Sequence, residues 1–136
     1  MVIVDTGPLV ALFDESEPAH QVCLDALQSM RAPLITTWPV LTESFYLLSD
    51  WQKGQAELWE FILSGGLTIA EIPASYCGRL RDLMRKYRDK PMDLADATLV
   101  VLAEIHKARV VFTLDRRDFS VYRPKHLKHF DLIPAR

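Results

Sequence analysis

The sequence predicts an α/β sandwich built around a mainly parallel β-sheet. Short β-branched runs alternate along the chain with amphipathic segments of helical periodicity, which is the pattern of parallel strands joined by crossover helices. The chain has 136 residues, of which 49% are hydrophobic and 25% charged, so it can bury a real core and has the composition of a folded protein. We therefore predict a single domain over residues 1–136.

The first half of the chain begins with a strand and continues mainly as helices. Residues 2–5, with the sequence VIVD, form a β-branched run that the turn formers Thr6, Gly7 and Pro8 should end. Later prolines fall near helix starts, where a missing N–H is tolerated. Helices are predicted over residues 9–13, 19–30, 37–48 and 56–63, and strands over residues 33–36 and 67–72.

The second half continues the alternation of helices and strands. Residues 74–88 form a polar, basic helix, and residues 93–107 form a helix that is apolar on nearly every side. Such a helix must pack against both the sheet and a second helix. Residues 109–113 are predicted to form a fourth strand, and residues 132–133 a short last one.

Carboxylates stand at several predicted strand ends and helix starts. Asp5 ends the first strand, Asp115 follows the fourth, and Asp93 and Asp96 open the apolar helix between them. Ligands of open parallel sheets bind beyond the carboxyl ends of the strands. Glu43 is a lone charge in the helix TTWPVLTESFYLL and is expected near its packed side, where a carboxylate needs a partner, a proton or a metal.

Each carboxylate taken alone has a structural explanation. Asp5 and Asp115 could accept hydrogen bonds in turns, Asp93 could cap a helix with Asp96 in its first turn, and Glu43 could form an ion pair. If the five lie in one pocket, they would repel one another, and bound cations would hold them together. Ligation by oxygen alone favours Mg²⁺ or Mn²⁺ over Zn²⁺. Such sites serve metal-assisted hydrolysis of phosphodiesters.

Four sequence blocks together resemble the PIN-domain family, and most closely its VapC-type toxins of bacterial toxin–antitoxin pairs. The blocks are VDTGPLVAL, LTESFYLL, MDLADATLVVLAE and VFTLDRRDF, which occur in order across essentially the whole chain. The resemblance implies a three-layer α/β/α fold around a sheet of about five strands. It also implies an endoribonuclease that depends on Mg²⁺ or Mn²⁺, and it assigns the family's acidic quartet to Asp5, Glu43, Asp96 and Asp115.

The resemblance implies further residues and partners. Asp93 lies one helical turn before the ADA motif, which makes it an auxiliary metal ligand or a helix cap. Thr6 and Thr113 match polar positions beside the first and last aspartates, where they would hydrogen-bond a carboxylate or a metal-bound water. Family members commonly form homodimers and are blocked by a cognate antitoxin that lies over the active-site groove.

The distribution of charge suits an anionic partner such as RNA. The net charge is −2, but residues 1–70 carry −7 and residues 71–136 carry +5. Basic residues neighbour the proposed ligands in sequence, which suits contact with phosphates. For Arg85, Arg88 and Lys90, a solvated helix face is an equally good interpretation. The candidate RNA contacts are Arg85, Arg88, Lys90, Arg116 and Arg117.

Two other functions stay compatible with the sequence. The same fold could serve RNA processing rather than growth arrest, or the chain could be a non-catalytic binding module with an acidic metal-binding rim. No apolar run reaches the roughly 18 residues of a membrane helix. The opening residues MVIVDTGP lack the basic region and cleavage site of a signal peptide, so we expect a cytoplasmic protein without a membrane partner.

Overall fold

The computed structural model describes residues 1–135 and contains five strands and seven α-helices within them. The strands are β1 (Val2–Val4), β2 (Leu34–Thr37), β3 (Thr68–Ala70), β4 (Val110–Phe112) and β5 (Asp131–Ile133). The helices are α1 (Thr6–Phe13), α2 (His20–Ser29), α3 (Trp38–Leu47), α4 (Gln52–Leu63), α5 (Cys77–Lys86), α6 (Leu94–His106) and α7 (Arg116–Phe119).

All strand pairs are parallel, and the order across the sheet is β3-β2-β1-β4-β5. The first strand is therefore central: Ile3 lies opposite Ile35 of β2 on one side and Val111 of β4 on the other. Parallel strands put all their carboxyl ends at one edge of the sheet. The residues that follow β1 and β4 are consequently neighbours at that edge, which confirms the predicted mainly parallel α/β sandwich.

The apolar helix predicted over residues 93–107 is α6, and it packs as its composition requires. It contacts β1 and β2 of the sheet and lies beside α3 and α5. Eight of its residues, Ala95 and the continuous run from Ala97 to Ala103, are buried. The helix ends at Lys107, which adopts a left-handed backbone conformation with φ of 56°. A helix enclosed on so many sides is a rigid support for side chains at its first turn.

The predicted boundaries need two corrections near proline and glycine. Thr6, Gly7 and Pro8 were expected to form a turn, but α1 already begins at Thr6. Pro8 fits there because the first helical N–H groups have no partner within the helix. The fourth helix begins at Gln52, one turn before the predicted Ala56, and Gly54 is buried inside it. Close packing against neighbouring helices thus overrides the low helix propensity of glycine.

Two further differences concern short elements. The basic helix predicted over residues 74–88 is a 3-10 turn at Ala74–Tyr76 followed by α5. The four-residue helix α7 was not predicted, because so short a segment shows no periodicity. The last strand, β5, was predicted correctly and pairs with β4.

That residues 1–136 form one domain stays a prediction. None of the helices within residues 1–135 combines the length and hydrophobicity needed to cross a bilayer.

Candidate active site

A cleft of about 550 Å³ opens at the carboxyl edge of the sheet, and carboxylates dominate its lining. Among residues 1–135, Lys90 is its single cationic lining residue, and Thr6, Gly7, Leu47, Pro91 and Leu114 complete the wall. The cleft thus brings together all five carboxylates that the sequence singled out, with one more. The six acidic residues are Asp5, Glu43, Asp93, Asp96, Asp115 and Asp118.

Asp5 is the most enclosed of these carboxylates. It follows the central strand β1, and only 7% of its surface is exposed. Burial raises the pKa of Asp5 to about 6, and the charges of Asp115 and Glu43 add to this effect, while a hydrogen bond from Thr113 opposes it. Asp5 is therefore still mostly ionised at neutral pH, and its buried negative charge would be stabilised by a cation.

Thr113 connects the ends of the two central strands. Its hydroxyl donates a hydrogen bond of 2.7 Å to Oδ2 of Asp5 and accepts one of 2.9 Å from the backbone N–H of Asp115. Asp115 in turn caps α7, because its Oδ1 accepts from the N–H of Asp118 at 3.2 Å. Burial raises the pKa of Asp115, and the charge of Asp118 raises it further. One buried threonine therefore sets the spacing of two carboxylates.

Asp93 and Asp96 occupy the start of α6. Asp93 is the N-cap, since its Oδ1 accepts a hydrogen bond of 2.8 Å from the backbone N–H of Asp96. Asp96 lies in the first turn, where its Oδ2 accepts a hydrogen bond of 2.8 Å from the hydroxyl of Tyr122. The capping interpretation of Asp93 is thus correct, and its carboxylate also lines the cleft.

The surroundings of Asp96 disfavour the charged form of its carboxylate more strongly than those of Asp5 do. Burial raises the pKa of Asp96 to about 8, against the effect of the hydrogen bond from Tyr122. The charges of Asp93, Asp5 and Asp115 raise it further. In the absence of a cation, the proton is therefore held on this group through neutral pH, and a divalent ion would have to displace it.

The expected burial of Glu43 was wrong. The packed face of α3 consists of Val40, Leu41 and Ser44, whereas Glu43 lies on the exposed part of the helix. From there its side chain lines the cleft beside Leu47, one turn further along the helix. The helical pattern misled because Leu47, an apolar residue one turn further along, is itself 56% exposed.

Two residues of the site escaped the sequence reasoning. Asp118 lines the cleft from α7, and its signal was available, because it follows Asp115 at the spacing of one helical turn. Tyr122 is completely buried and contacts Asp96 across 26 positions of sequence. No local pattern indicates such a contact.

The predicted RNA-contact residues fall in different places. Lys90 lines the cleft itself, whereas Arg85, Arg88 and Arg117 are exposed and do not line it. Arg116 donates hydrogen bonds to the backbone oxygens of Leu132 at 3.2 Å and Pro134 at 2.7 Å, so its guanidinium holds the C-terminal strand. Contact between these residues and RNA stays a prediction.

The donor set of the cleft fits a hard divalent cation. All the acidic ligands offer oxygen, which Mg²⁺ and Mn²⁺ prefer. Thr6 lines the cleft, and its hydroxyl oxygen is buried without a hydrogen-bond partner among residues 1–135, so a ligand or a coordinated water would satisfy it. Within the same residues, no three acidic, histidine or cysteine side chains already converge on one ion position.

Comparisons with known proteins agree with this fold. Residues 2–124 match the model of the PIN domain, so the chain belongs to the PIN-domain family. Over 135 residues it is 33% identical to a protein of Mycobacterium tuberculosis (strain ATCC 25618 / H37Rv) called Ribonuclease VapC26, covering 98% of this chain and 100% of that protein. The resemblance to VapC-type proteins inferred from the sequence is thus confirmed.

Solved structures extend the likeness to three dimensions. The crystal structure of Mycobacterium tuberculosis VapC20, described as a Sarcin-Ricin loop cleaving toxin, superposes with a TM-score of 0.81 at 17% identity, covering 94% of this chain and 99% of that one. A chain of a toxin–antitoxin complex from Klebsiella pneumoniae superposes with a TM-score of 0.68 at 20% identity, covering 93% and 100%. At these identities the structures establish the shared three-layer α/β/α fold.

Proposed function

We propose that the protein is a metal-dependent endoribonuclease that acts as the toxin of a toxin–antitoxin pair. The observation that carries the proposal is the carboxylate cleft at the sheet edge of a PIN-domain chain that is 33% identical to a VapC ribonuclease over nearly its whole length. A side-chain nucleophile is not required for this chemistry, because water can attack a phosphodiester directly when a metal assists.

In this proposal Asp5, Glu43, Asp96 and Asp115 hold the divalent cation, Mg²⁺ or Mn²⁺. When bound, the cation supplies a Lewis acid for the hydrolysis of a phosphodiester bond. Asp5 and Asp115 approach from the ends of neighbouring strands and Asp96 from a helix start, so they surround the same space. Glu43 is exposed, as Asp115 is, and would complete the set from α3.

Four neighbouring groups support these ligands. Thr113 orients Asp5 through its hydrogen bond, and the Thr6 hydroxyl would contact a coordinated water or the substrate. Asp93 serves as an auxiliary ligand with the carboxylate oxygen that is not engaged in capping. Asp118 lines the cleft one turn after Asp115 and adds negative charge that favours the cation.

RNA would enter the cleft along its cationic side. Lys90 lies among the carboxylates, where its ammonium can pair with a phosphate that flanks the scissile bond. Arg85, Arg88 and Arg117 are exposed and would extend the contact to more distant phosphates. Arg116 would contribute less than these, because its guanidinium already donates to backbone oxygens.

A protein partner also belongs to the proposal. The exposed surface of α3 and α4 carries large hydrophobic side chains, and Leu47 continues this surface into the acidic cleft. Leu47 also lines a second cavity, of about 500 Å³, together with Asp14, Asp50 and Trp51. An antitoxin segment that combines apolar and basic residues would suit this apolar and acidic surface. The exposed hydrophobic residues here are Trp38, Tyr46, Leu47, Trp59 and Leu63.

The oligomeric state and the location complete the proposed function. We infer a homodimer located in the cytoplasm, where the proposed RNA substrate is found. Light scattering of the purified protein tests the first inference, and a mass of one chain would contradict it. Induction of the gene without its neighbour separates a toxin from an RNA-processing enzyme, because only a toxin should arrest growth.

The decisive experiment is a cleavage assay on structured RNA with purified protein. Cleavage should require Mg²⁺ or Mn²⁺, and Asp5→Asn and Asp96→Asn should each lower it by at least about 100-fold, since even outer partners of a metal site contribute 10–100-fold. Glu60→Gln is the matched control, because Glu60 is an exposed acid of α4 outside the cleft. Undiminished cleavage by both aspartate variants would refute the mechanism. Mn²⁺ binding in calorimetry without any RNA cleavage would instead favour the non-catalytic module with a metal-binding rim.

A further inference from the structure

Tyr122 does not line the cleft, but it contacts a residue of the site. Its side chain is completely buried, and its hydroxyl donates a hydrogen bond of 2.8 Å to Oδ2 of Asp96. A phenol is a neutral donor at physiological pH. The bond therefore engages one of the two oxygens of Asp96 and restricts rotation of the carboxylate about its last side-chain bond.

The ring of Tyr122 is itself held in place by aromatic neighbours. Phe119 meets it edge-on at 5.1 Å between ring centroids, and Tyr87 does so at 5.0 Å. The hydroxyl of Tyr87 accepts a hydrogen bond of 2.9 Å from the backbone N–H of Arg123. The phenol of Tyr122 is thus held in place by its packing and by the backbone beside it. Because its hydroxyl bonds to Asp96, the aromatic cluster also restrains the Asp96 carboxylate.

The same segment reaches both sides of the cleft. Asp115 caps α7, Phe119 ends that helix, and Tyr122 follows three residues later and returns to Asp96. The short helix therefore forms a bridge from the carboxylate after β4 to the carboxylate at the start of α6. A change in the position of one end would be transmitted to the other.

We propose that Tyr122 is a positioning residue, which orients the Asp96 carboxylate for a divalent cation. This inference rests on the proposed function and adds a residue that takes no part in the cleft lining. A merely structural tyrosine would stabilise the fold equally well without influencing the cation. The two roles differ in what removal of the hydroxyl does to metal binding.

The test compares Tyr122→Phe with Tyr87→Phe. Both variants remove one buried hydroxyl from the same aromatic cluster, but only the first removes a hydrogen bond to Asp96. Calorimetric titration with Mn²⁺, without RNA, should give a dissociation constant about 10-fold higher for Tyr122→Phe and one within about twofold of wild type for Tyr87→Phe. The turnover number of RNA cleavage should fall with Tyr122→Phe, recover partly at high Mn²⁺ and leave KM for RNA unchanged.

The outcomes separate this inference from the proposed function. If Asp96→Asn abolishes cleavage but Tyr122→Phe binds Mn²⁺ and turns over as wild type does, the positioning role is refuted alone. If Asp96→Asn cleaves normally, the proposed function fails as well.

A second measurement applies if Tyr122→Phe does not fold. The chain has four tyrosines, so ring-labelled wild-type protein gives four ¹³Cζ NMR resonances, and Phe variants of the other three assign that of Tyr122 by elimination. Saturating Mg²⁺ should shift the Tyr122 resonance and leave that of the exposed Tyr46 in place. An unshifted Tyr122 resonance would overturn the inference.

Discussion

The hydroxyl of Thr113 donates a hydrogen bond of 2.7 Å to Oδ2 of Asp5, although 108 positions of sequence separate the two residues. The hydroxyl oxygen of Thr113 also accepts a hydrogen bond of 2.9 Å from the backbone N–H of Asp115. The bond to Asp5 is possible because β1 and β4 are parallel neighbours, whereas the bond from Asp115 is local. The pairing of β1 with β4 therefore also brings these residues of the site together.

Loss of the Thr113 hydroxyl should impair the site more than the fold. Thr113→Val keeps the shape of the buried side chain but removes the donor to Asp5, so cleavage should fall about 10- to 100-fold. The pKa of Asp5 should also rise further, because the lost bond lowers it. Thr113→Ser, which retains the hydroxyl, is the control and should stay near wild type. Equal activity of the valine and serine variants would contradict this role.

The stability of the metal-free protein should fall as the pH rises. Asp5 and Asp96 have pKa values of about 6 and about 8 in the folded protein, whereas an unfolded aspartate titrates near ~3.9. Between the unfolded pKa and each folded pKa, the folded protein therefore binds more protons than the unfolded chain. These protons contribute to the free energy of unfolding, and the contribution is lost as the pH rises past each folded pKa.

Urea unfolding measures this effect. The midpoint for metal-free wild type should decrease from about pH 5 to about pH 8.5, and Asp96→Asn should remove the part above about pH 6. Saturating Mg²⁺ should restore the midpoint at the higher pH, because the cation binds only the folded state. A wild-type midpoint that stays level or rises across this range would show that the carboxylates are not protonated in the cleft.

Lys90 provides a test of the path of RNA. Lys90→Gln should weaken RNA binding and reduce the slope of log affinity against log salt concentration by about 1, as expected for one lost phosphate contact. Lys107→Gln is the control, because Lys107 is exposed at the far end of α6. Filter binding in Ca²⁺, which should not support cleavage, measures both variants. An equal change of slope in both would place the RNA elsewhere.

The ion pair between Arg79 and Glu104 should stabilise the fold without affecting the site. Arg79 donates to both carboxylate oxygens, with the shorter contact 2.6 Å, and the Lys125 N–H adds a third bond of 2.7 Å. Burial alone would raise the pKa of Glu104, but these bonds outweigh it and the pKa lies below its usual range. The stabilisation is present above the unfolded pKa and is lost as the pH falls through the folded one.

Glu104→Gln should cost about 2 kcal/mol of unfolding free energy at neutral pH. Arg81→Gln, which breaks the exposed pair with Asp82, should cost within about 0.5 kcal/mol. Urea unfolding of the three proteins gives the comparison, with cleavage as a second readout that neither change should alter. Equal losses of stability in both variants would mean that burial does not strengthen the inner pair.

The sequence predicted those parts of the molecule that depend on local pattern. Composition and periodicity predict the apolar helix α6 and the β-branched strands. The role of the carboxylates at their ends follows from the rule that ligands of parallel sheets bind beyond the carboxyl ends of the strands. The burial of Glu43 was misjudged, since a helical stripe cannot tell a packed leucine from an exposed one such as Leu47. The contact of Tyr122 with Asp96 depends on the path of the chain after β4, which no local pattern encodes.

The central position of β1 has a consequence for the synthesis of the protein. The first strand is synthesised before the other elements described here, yet its neighbour β4 and the bridge through α7 come from residues 110–122. A nascent chain that ends before β4 carries Asp5, Glu43 and Asp96 but lacks Thr113, Asp115 and Tyr122. The complete set of site residues therefore comes together only after β4 and α7 have been synthesised and have packed beside β1.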